Sequence, residues 1–223
     1  MFATSLSVVE RYAALLADDG VERGLIGPRE TPRLWERHLL NCGLLADGIP
    51  PGVTVCDVGS GAGLPGLVLA IRRSDLTVTL VEPLQRRATF LGEAVAALGL
   101  PNVEVRRARA EQLHGRVDFE VVTSRAVAPL GRLAEWSLPL VRRGGFLLAM
   151  KGRTAHEELA AAAPTLRRLG AGATTVEQYG GDVTDPPTTA IRVEVGRSTP
   201  LGLPRTPGSS RKERRRDHGR SGH

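Results

Sequence analysis

Apolar residues recur at helical spacing over residues 5–19, where Leu6, Val9, Tyr12, Ala13 and Leu16 share one face. Thr31-Pro32 then opens a second helical run through Leu34, Trp35, His38, Leu39 and Leu45, with Thr as N-cap and Pro at the first helical position. Ile49-Pro50-Pro51-Gly52 breaks the pattern, and the chain changes character. Short apolar runs at 53–57, 77–82, 103–107, 119–123, 145–150 and 190–195 predict strands. Segments near 64–73, 84–98, 130–141 and 155–169 predict helices between them, and Leu98-Gly99-Leu100-Pro101-Asn102 reads as a helix stop. Alternation at this spacing predicts an α/β fold with a mostly parallel sheet, helices on both of its faces and N-terminal helices ahead of it. The expected division is a helical element over 1–48, an α/β domain over 49–196 and a tail over 197–223. That tail is rich in Pro, Gly, Ser and Arg without periodicity, so we expect it to be flexible.

Composition alters this picture little. With 223 residues, 41% hydrophobic and 24% charged, the chain can bury a full core. No apolar run approaches the roughly 18–20 residues of a membrane span, and the amino terminus lacks the layout of a secretory signal. Cys42 and Cys56 show no metal-like spacing and are expected to be reduced thiols, which points to a cytoplasmic protein without a metal site or membrane partner. The position of the charge says more than its amount. Seven basic residues against Glu213 and Asp217 put +5 of the chain's +6 into residues 205–223. A polyanion suits such a tail, because phosphate contacts from Arg and Lys dominate nucleic-acid affinity. A merely solvated end is the alternative.

Chemistry concentrates in Asp57-Val58-Gly59-Ser60-Gly61-Ala62-Gly63-Leu64-Pro65-Gly66, between a predicted strand and a predicted helix. Glycines there admit positive φ and close approach of a ligand, which would meet backbone N–H groups. Gly61 to Gly66 satisfies G-x-G-x-x-G, and Glu82 ends the next strand 19 positions after Gly63, where a carboxylate can accept from ribose hydroxyls. A NAD-dependent oxidoreductase fits that much. Asp57 and Gly59 extend the motif to D-x-G-x-G-x-G, the turn follows a helical appendage, and no hydride-transfer acid/base pair is evident. The extended form resembles motif I of class I (Rossmann-like) S-adenosylmethionine methyltransferases. Their glycine turn lies against the methionine portion of the cofactor.

Further motifs narrow the resemblance. Thr31-Pro32, Trp35-Glu36-Arg37-His38-Leu39-Leu40-Asn41-Cys42, Gly63-Leu64-Pro65-Gly66, Arg109-Ala110-Glu111, Ser124-Arg125-Ala126, Lys151-Gly152 and Leu203-Pro204-Arg205-Thr206-Pro207-Gly208 occur in that order. The series resembles the RsmG family, bacterial small-subunit ribosomal RNA guanine-N7 methyltransferases formerly called glucose-inhibited division protein B. The resemblance runs from about residue 5 to 208. It implies methylation of N7 of guanosine 527 in the 530 loop of 16S rRNA, on the small subunit or its assembly intermediate. It further implies cofactor contacts at Gly59, Gly61, Leu64, Ala110 and Glu111, with Glu82 holding the ribose. A noncatalytic RNA-binding or ribosome-assembly module remains the alternative from another class.

Enzymes of this class that methylate exocyclic amines usually carry N/D-P-P-Y/F after the fourth strand, to receive the amine's proton. Ser124-Arg125-Ala126-Val127 stands there instead. Guanine N7 offers a free lone pair and loses no proton, so alignment replaces general-base catalysis. Arg125 is therefore expected to border the cofactor and position RNA through its planar fork. Lys151 and Arg109 are expected on the same basic rim, as phosphate contacts. His38 is left outside the catalytic set. Asn41-Cys42 stands where the family often has Asp-Ser, which argues against a charge-based role there. Removing residues 209–223 is expected to weaken RNA binding and flatten its salt dependence in a binding titration over a salt series; an unchanged slope would identify a solvated end.

Overall fold

The computed structural model describes residues 1–196 apart from Ala3 and Ala126. The basic tail at 197–223 and Ala126 of the Ser124-Arg125-Ala126 motif lie outside the described residues. Seven strands form one sheet: β1 (Thr54–Val58), β2 (Thr77–Val81), β3 (Val103–Arg106), β4 (Phe119–Arg125), β5 (Val141–Lys151), β6 (Ala171–Tyr179) and β7 (Thr188–Val195). Their order is β3-β2-β1-β4-β5-β7-β6. β1 to β5 run parallel, while β7 is antiparallel to both β5 and β6. The chain moves outward from β1 to β3, then returns to place β4 on the other side of β1. Strand order therefore reverses between β1 and β4, and a crevice opens at their carboxyl ends.

Helices cover both faces. On one face α1 (Leu6–Ala17), α4 (Gly66–Arg72) and α5 (Gln85–Leu98) join a core containing Val9, Tyr12, Leu16, Leu67, Leu69, Phe90 and Leu91. α6 (Leu130–Ser137) and α7 (Ala155–Arg168) cover the other through Leu130, Leu133, Ala162 and Leu166. The short α2 (Asp19–Glu22) follows α1. Because α1 shares its core with the helices of the sheet, the segment expected over residues 1–48 packs as part of the α/β body. No helix among the described residues is long and apolar enough to cross a membrane.

The second helical run differs from its expected form. Pro28 opens a 3-10 turn over Pro28–Arg33 that contains Pro32, and Thr31 caps nothing. The proline signal belonged to Pro28. Trp35–Leu40 is then π-helical and leads into α3 (Asn41–Leu44). The helix expected at 130–141 ends at Ser137, and β5 already begins at Val141. Sequence patterning missed β6. Its Ala171-Gly172-Ala173-Thr174-Thr175 segment is an exposed edge with no apolar alternation to announce it.

The turn between β1 and α4 is built from close contacts. Gly63 has φ 97°, and a Cβ there would run into the Leu67 side chain and the Tyr12 hydroxyl. Tyr12 is fully buried and donates its O–H to the Ala62 carbonyl at 2.7 Å, so α1 braces the turn from below. Gly66 sets how closely α4 approaches the sheet, since a Cβ would meet the Leu80 side chain and lie 2.7 Å from Asp57 Oδ2. Gly66→Ala is therefore expected to destabilise the fold by about 1–3 kcal/mol through overpacking, read from urea unfolding. A stability equal to wild type would show that the α4 approach relaxes freely.

Candidate functional site

Asp57, the penultimate residue of β1, is completely buried. Its Oδ2 accepts the Gly66 N–H at 3.0 Å, while Oδ1 has no hydrogen-bond partner among the described residues. Burial drives its pKa up to about 7, against the opposing effect of the Gly66 N–H. The turn itself hangs on β2, because the Gly59 N–H donates to the Val81 carbonyl at 2.8 Å. Glu82, one residue further, closes the arrangement. Its Oε2 accepts from the Gly61 N–H at 3.0 Å and its Oε1 from the Leu84 N–H at 2.9 Å. The carboxylate is only 2% exposed and has no cation partner among the described residues. Two backbone N–H groups hold it in place, and each oxygen keeps a lone pair for a further donor.

A cavity of about 510 Å³ stands over this floor. That volume lies within the usual range for small-molecule sites. It brings together every residue expected to hold a cofactor: Gly59, Gly61, Leu64, Glu82, Ala110, Glu111 and Arg125. Arg109 lines it as well and is exposed at the rim. A short turn over Ala110–Gln112 sets this side of the wall, where Gln112 Oε1 accepts the Arg109 N–H at 2.8 Å. Leu25, Ile26, Val127 and Trp136 also line it. Sequence reasoning missed these four, because they come from segments far apart in the chain. The buried carboxylate, the glycine floor and the apolar walls fit a nucleoside-bearing ligand with a vicinal diol.

A second, larger cavity of about 1420 Å³ adjoins the first. Arg33, Arg37, Arg125, Lys151 and Arg153 line it, with Glu36, Glu158 and Asp185 as acidic members. Arg125 and Val127 line both cavities, so the end of β4 marks their junction. Lys151 does not present its ammonium to the rim. The side chain is 7% exposed, pairs with Glu158 at 2.7 Å and donates to the Ala128 carbonyl at 2.8 Å. Glu158 also accepts the Leu130 N–H at 3.2 Å. Strand β5 and helix α7 thereby clamp the segment that follows Arg125. Asn41 is likewise structural, its Oδ1 accepting from the Thr188 hydroxyl at 2.9 Å.

Arg125 has a partner that sequence reasoning set aside. Its Nη1 lies 2.8 Å from His38 Nδ1, and His38 Nε2 lies 3.0 Å from Glu30 Oε2. Burial, then the Arg125 charge, hold the imidazole pKa below its ordinary value, opposed by the Glu30 hydrogen bond. Nothing local in the sequence signals a contact across 87 positions. Cys42 is buried nearby, and burial pushes its thiol up to about 11 despite Arg125. It is thus a packed thiol and not a nucleophile.

Comparison with known proteins gives a consistent result. The family described as GidB, rRNA small subunit methyltransferase G, matches residues 5–182. A ribosomal RNA small subunit methyltransferase G of Nocardioides sp. is 60% identical over 219 residues, covering 96% of this chain and 87% of that protein. One of Streptomyces avermitilis is 58% identical over 199 residues, covering 89% and 84%. Among solved structures, a SAM-dependent O-methyltransferase from Thermotoga maritima superposes with a TM-score of 0.55 at 16% identity, covering 77% of this chain and 72% of its own. That likeness is one of fold: a class I methyltransferase sandwich.

The raised Asp57 pKa carries a sign that can be measured. A carboxyl held near 7 when folded and near 3.8 when unfolded favours the folded state below the lower value. That advantage is lost as pH rises toward 7. Asp57→Asn removes the titration, so the stability of the variant relative to wild type should rise by on the order of 2 kcal/mol between pH 5 and pH 8. Urea unfolding at the two pH values measures the change, and a pH-independent gap would place the Asp57 pKa elsewhere.

Proposed function

The chain belongs to the rRNA small subunit methyltransferase G family, and we propose that it methylates N7 of guanosine 527 in the 530 loop of 16S rRNA. S-adenosylmethionine is the proposed donor, and the small ribosomal subunit or its assembly intermediate the proposed substrate. The chemistry belongs to the cytoplasm, where such particles are made. One observation carries the reading of the acceptor. The two cavities meet at Arg125 and Val127, on a strand end whose side chains hold no carboxylate or amide to take a proton. A ring nitrogen with a free lone pair suits that junction, and an exocyclic amine does not.

S-adenosylmethionine, when bound, supplies a methyl group activated by its sulfonium. Glu82 holds the ribose hydroxyls with the lone pairs left over from Gly61 and Leu84. Gly59, Gly61 and Leu64 leave space for the methionine portion, and Ala110-Glu111 meet the adenine with backbone groups. The larger cavity admits the acceptor base and its flanking phosphates among its arginines. Arg125 orients that base or phosphate by its fork, and exposed Arg109 meets the RNA backbone. Lys151 serves the same geometry from within, by holding Ala128 and Glu158. Alignment, with water kept from the junction, is what these residues contribute to in-line transfer.

Mapping the 16S rRNA of cells with and without this protein tests the acceptor. A single N7-methylguanosine at position 527 that depends on the protein is expected; methylation at another atom or nucleotide overturns the reading. Labelled methyl transfer to small subunits separates it from a noncatalytic assembly role. For the donor, calorimetry with S-adenosylhomocysteine should show binding where NAD shows none. Glu82→Gln is expected to weaken S-adenosylhomocysteine roughly ten- to a hundredfold, the scale of a lost charged hydrogen bond. Unchanged affinity in that variant would remove Glu82 from the site.

A further inference from the structure

Arginine carries only donors, so the 2.8 Å contact from Arg125 Nη1 requires a lone pair on His38 Nδ1. The imidazole proton is therefore on Nε2, which donates to Glu30 Oε2 at 3.0 Å. Glu30 is held in turn by Arg37, whose Nη1 donates to its two oxygens at 2.9 and 3.1 Å. The donations converge on Glu30, from Arg125 through His38 on one side and from Arg37 on the other. They link the Pro28–Arg33 turn and the π-helical Trp35–Leu40 segment to the end of β4. π-helical turns of this kind often mark functional positions.

We propose that His38 is a positioning residue for methyl transfer: as the neutral Nε2–H tautomer it holds the Arg125 guanidinium at the junction of the two cavities, and its protonation releases that hold. The proposal rests on the methyl-transfer reading and adds to it a residue that touches neither donor nor acceptor. An imidazolium has no lone pair for Arg125 and sets a second positive charge beside it. The groups facing His38 are Glu30 and Arg37 from the amino-terminal segment and Arg125 from β4. Tyr12 of α1, Cys42 of α3 and Asp57 of β1 face Arg125 from its other sides. Burial and then the Arg125 charge lower the His38 pKa against the opposing Glu30 hydrogen bond, so the imidazole takes up a proton only at a pH below the ordinary histidine range.

Two measurements test this. In the free protein, nitrogen NMR of the five histidines, with His38 assigned by its loss in His38→Asn, reports tautomer and titration directly. His38 should be the Nε2–H form at pH 7.5, titrating below 6.5; Glu30→Gln should lower that pKa and Arg125→Met should raise it. In methyl transfer to 30S subunits at saturating donor, kcat should fall on an acid limb. Glu30→Gln should move the limb to lower pH, with little change in the donor KM. His38→Asn presents an amide oxygen to Arg125 and does not titrate, so it should retain transfer and lose the limb. His38→Leu should lower kcat at least tenfold at every pH; if it fails to fold, Glu30→Gln and His38→Asn carry the test. An imidazolium or Nδ1–H form at pH 7.5, or an acid limb unmoved in both variants, overturns the proposal. Absence of methyl transfer by the wild-type protein would overturn the proposed function instead, with the NMR titrations still deciding the contact.

Discussion

The hydrogen bond from the Gly66 N–H to Asp57 Oδ2, 3.0 Å long and completely buried, fixes where helix α4 begins. It forms only because residue 66 has no side chain, so the helix can descend onto β1 and β2 until Leu80 and Asp57 stop it. This approach pulls the preceding residues into a tight turn. Their N–H groups then have few directions to face, and Gly59 and Gly61 find acceptors on β2 and on Glu82. One carboxylate thus sets the floor of the cavity while a second, Glu82, forms its side. Neither makes an ion pair among the described residues, and for Asp57 the cost of burial shows as a strongly raised pKa that the Arg125 charge opposes only in part.

The amino-terminal helices are integral to this arrangement. Tyr12 braces the turn from α1, Leu25 and Ile26 line one wall of the smaller cavity, and His38 reaches Arg125 at the junction. A sheet with helices on both faces would bury its core without them. What they supply is closure over the crevice at the strand-order reversal, where an α/β sheet is otherwise open to solvent. A long-range contact such as Tyr12 to Ala62 also makes the turn's geometry depend on the correct docking of α1.

Much of the fold was legible because periodicity reports burial. β1, β2, β4 and β5 are sheet-interior strands flanked by helices, and their apolar runs could be read directly; the edge strand β3 still shows Val103 and Val105 alternating with charged residues, and Glu82 could be read at the end of the strand after a glycine turn. β6 was not, since an edge strand with exposed Ala and Thr needs no apolar pattern. The two ends of the site diverged for a related reason. Gly59, Gly61, Leu64, Ala110 and Glu111 are carried by local motifs at strand ends, so the structure gathers them as expected. Side-chain direction is not local. The place of Lys151 at the end of β5 was evident, but its inward turn depends on Glu158 across on α7. His38 could be placed on a helical segment, yet its partner lies on another element of the fold.

This inward turn changes how positive charge serves the junction. Five basic residues line the larger cavity, and under the proposed N7 methylation a uniform cationic wall would repel a base that becomes cationic. Lys151 is neutralised by Glu158, and Arg37 by Glu30. Arg125 is the cation shared by the two cavities, and its neighbour at 2.8 Å is a neutral imidazole. Spacing charge in this way leaves Arg109, Arg33 and Arg153 exposed toward the rims, available to RNA phosphates on the proposed reading, and one oriented guanidinium at the junction of the two cavities. On the proposed mechanism, position there matters more than charge, because a misplaced acceptor loses the alignment on which in-line transfer would depend. The chain from exposed Arg37 through Glu30 and His38 to Arg125 is how this fold converts an otherwise flexible arginine into a fixed one.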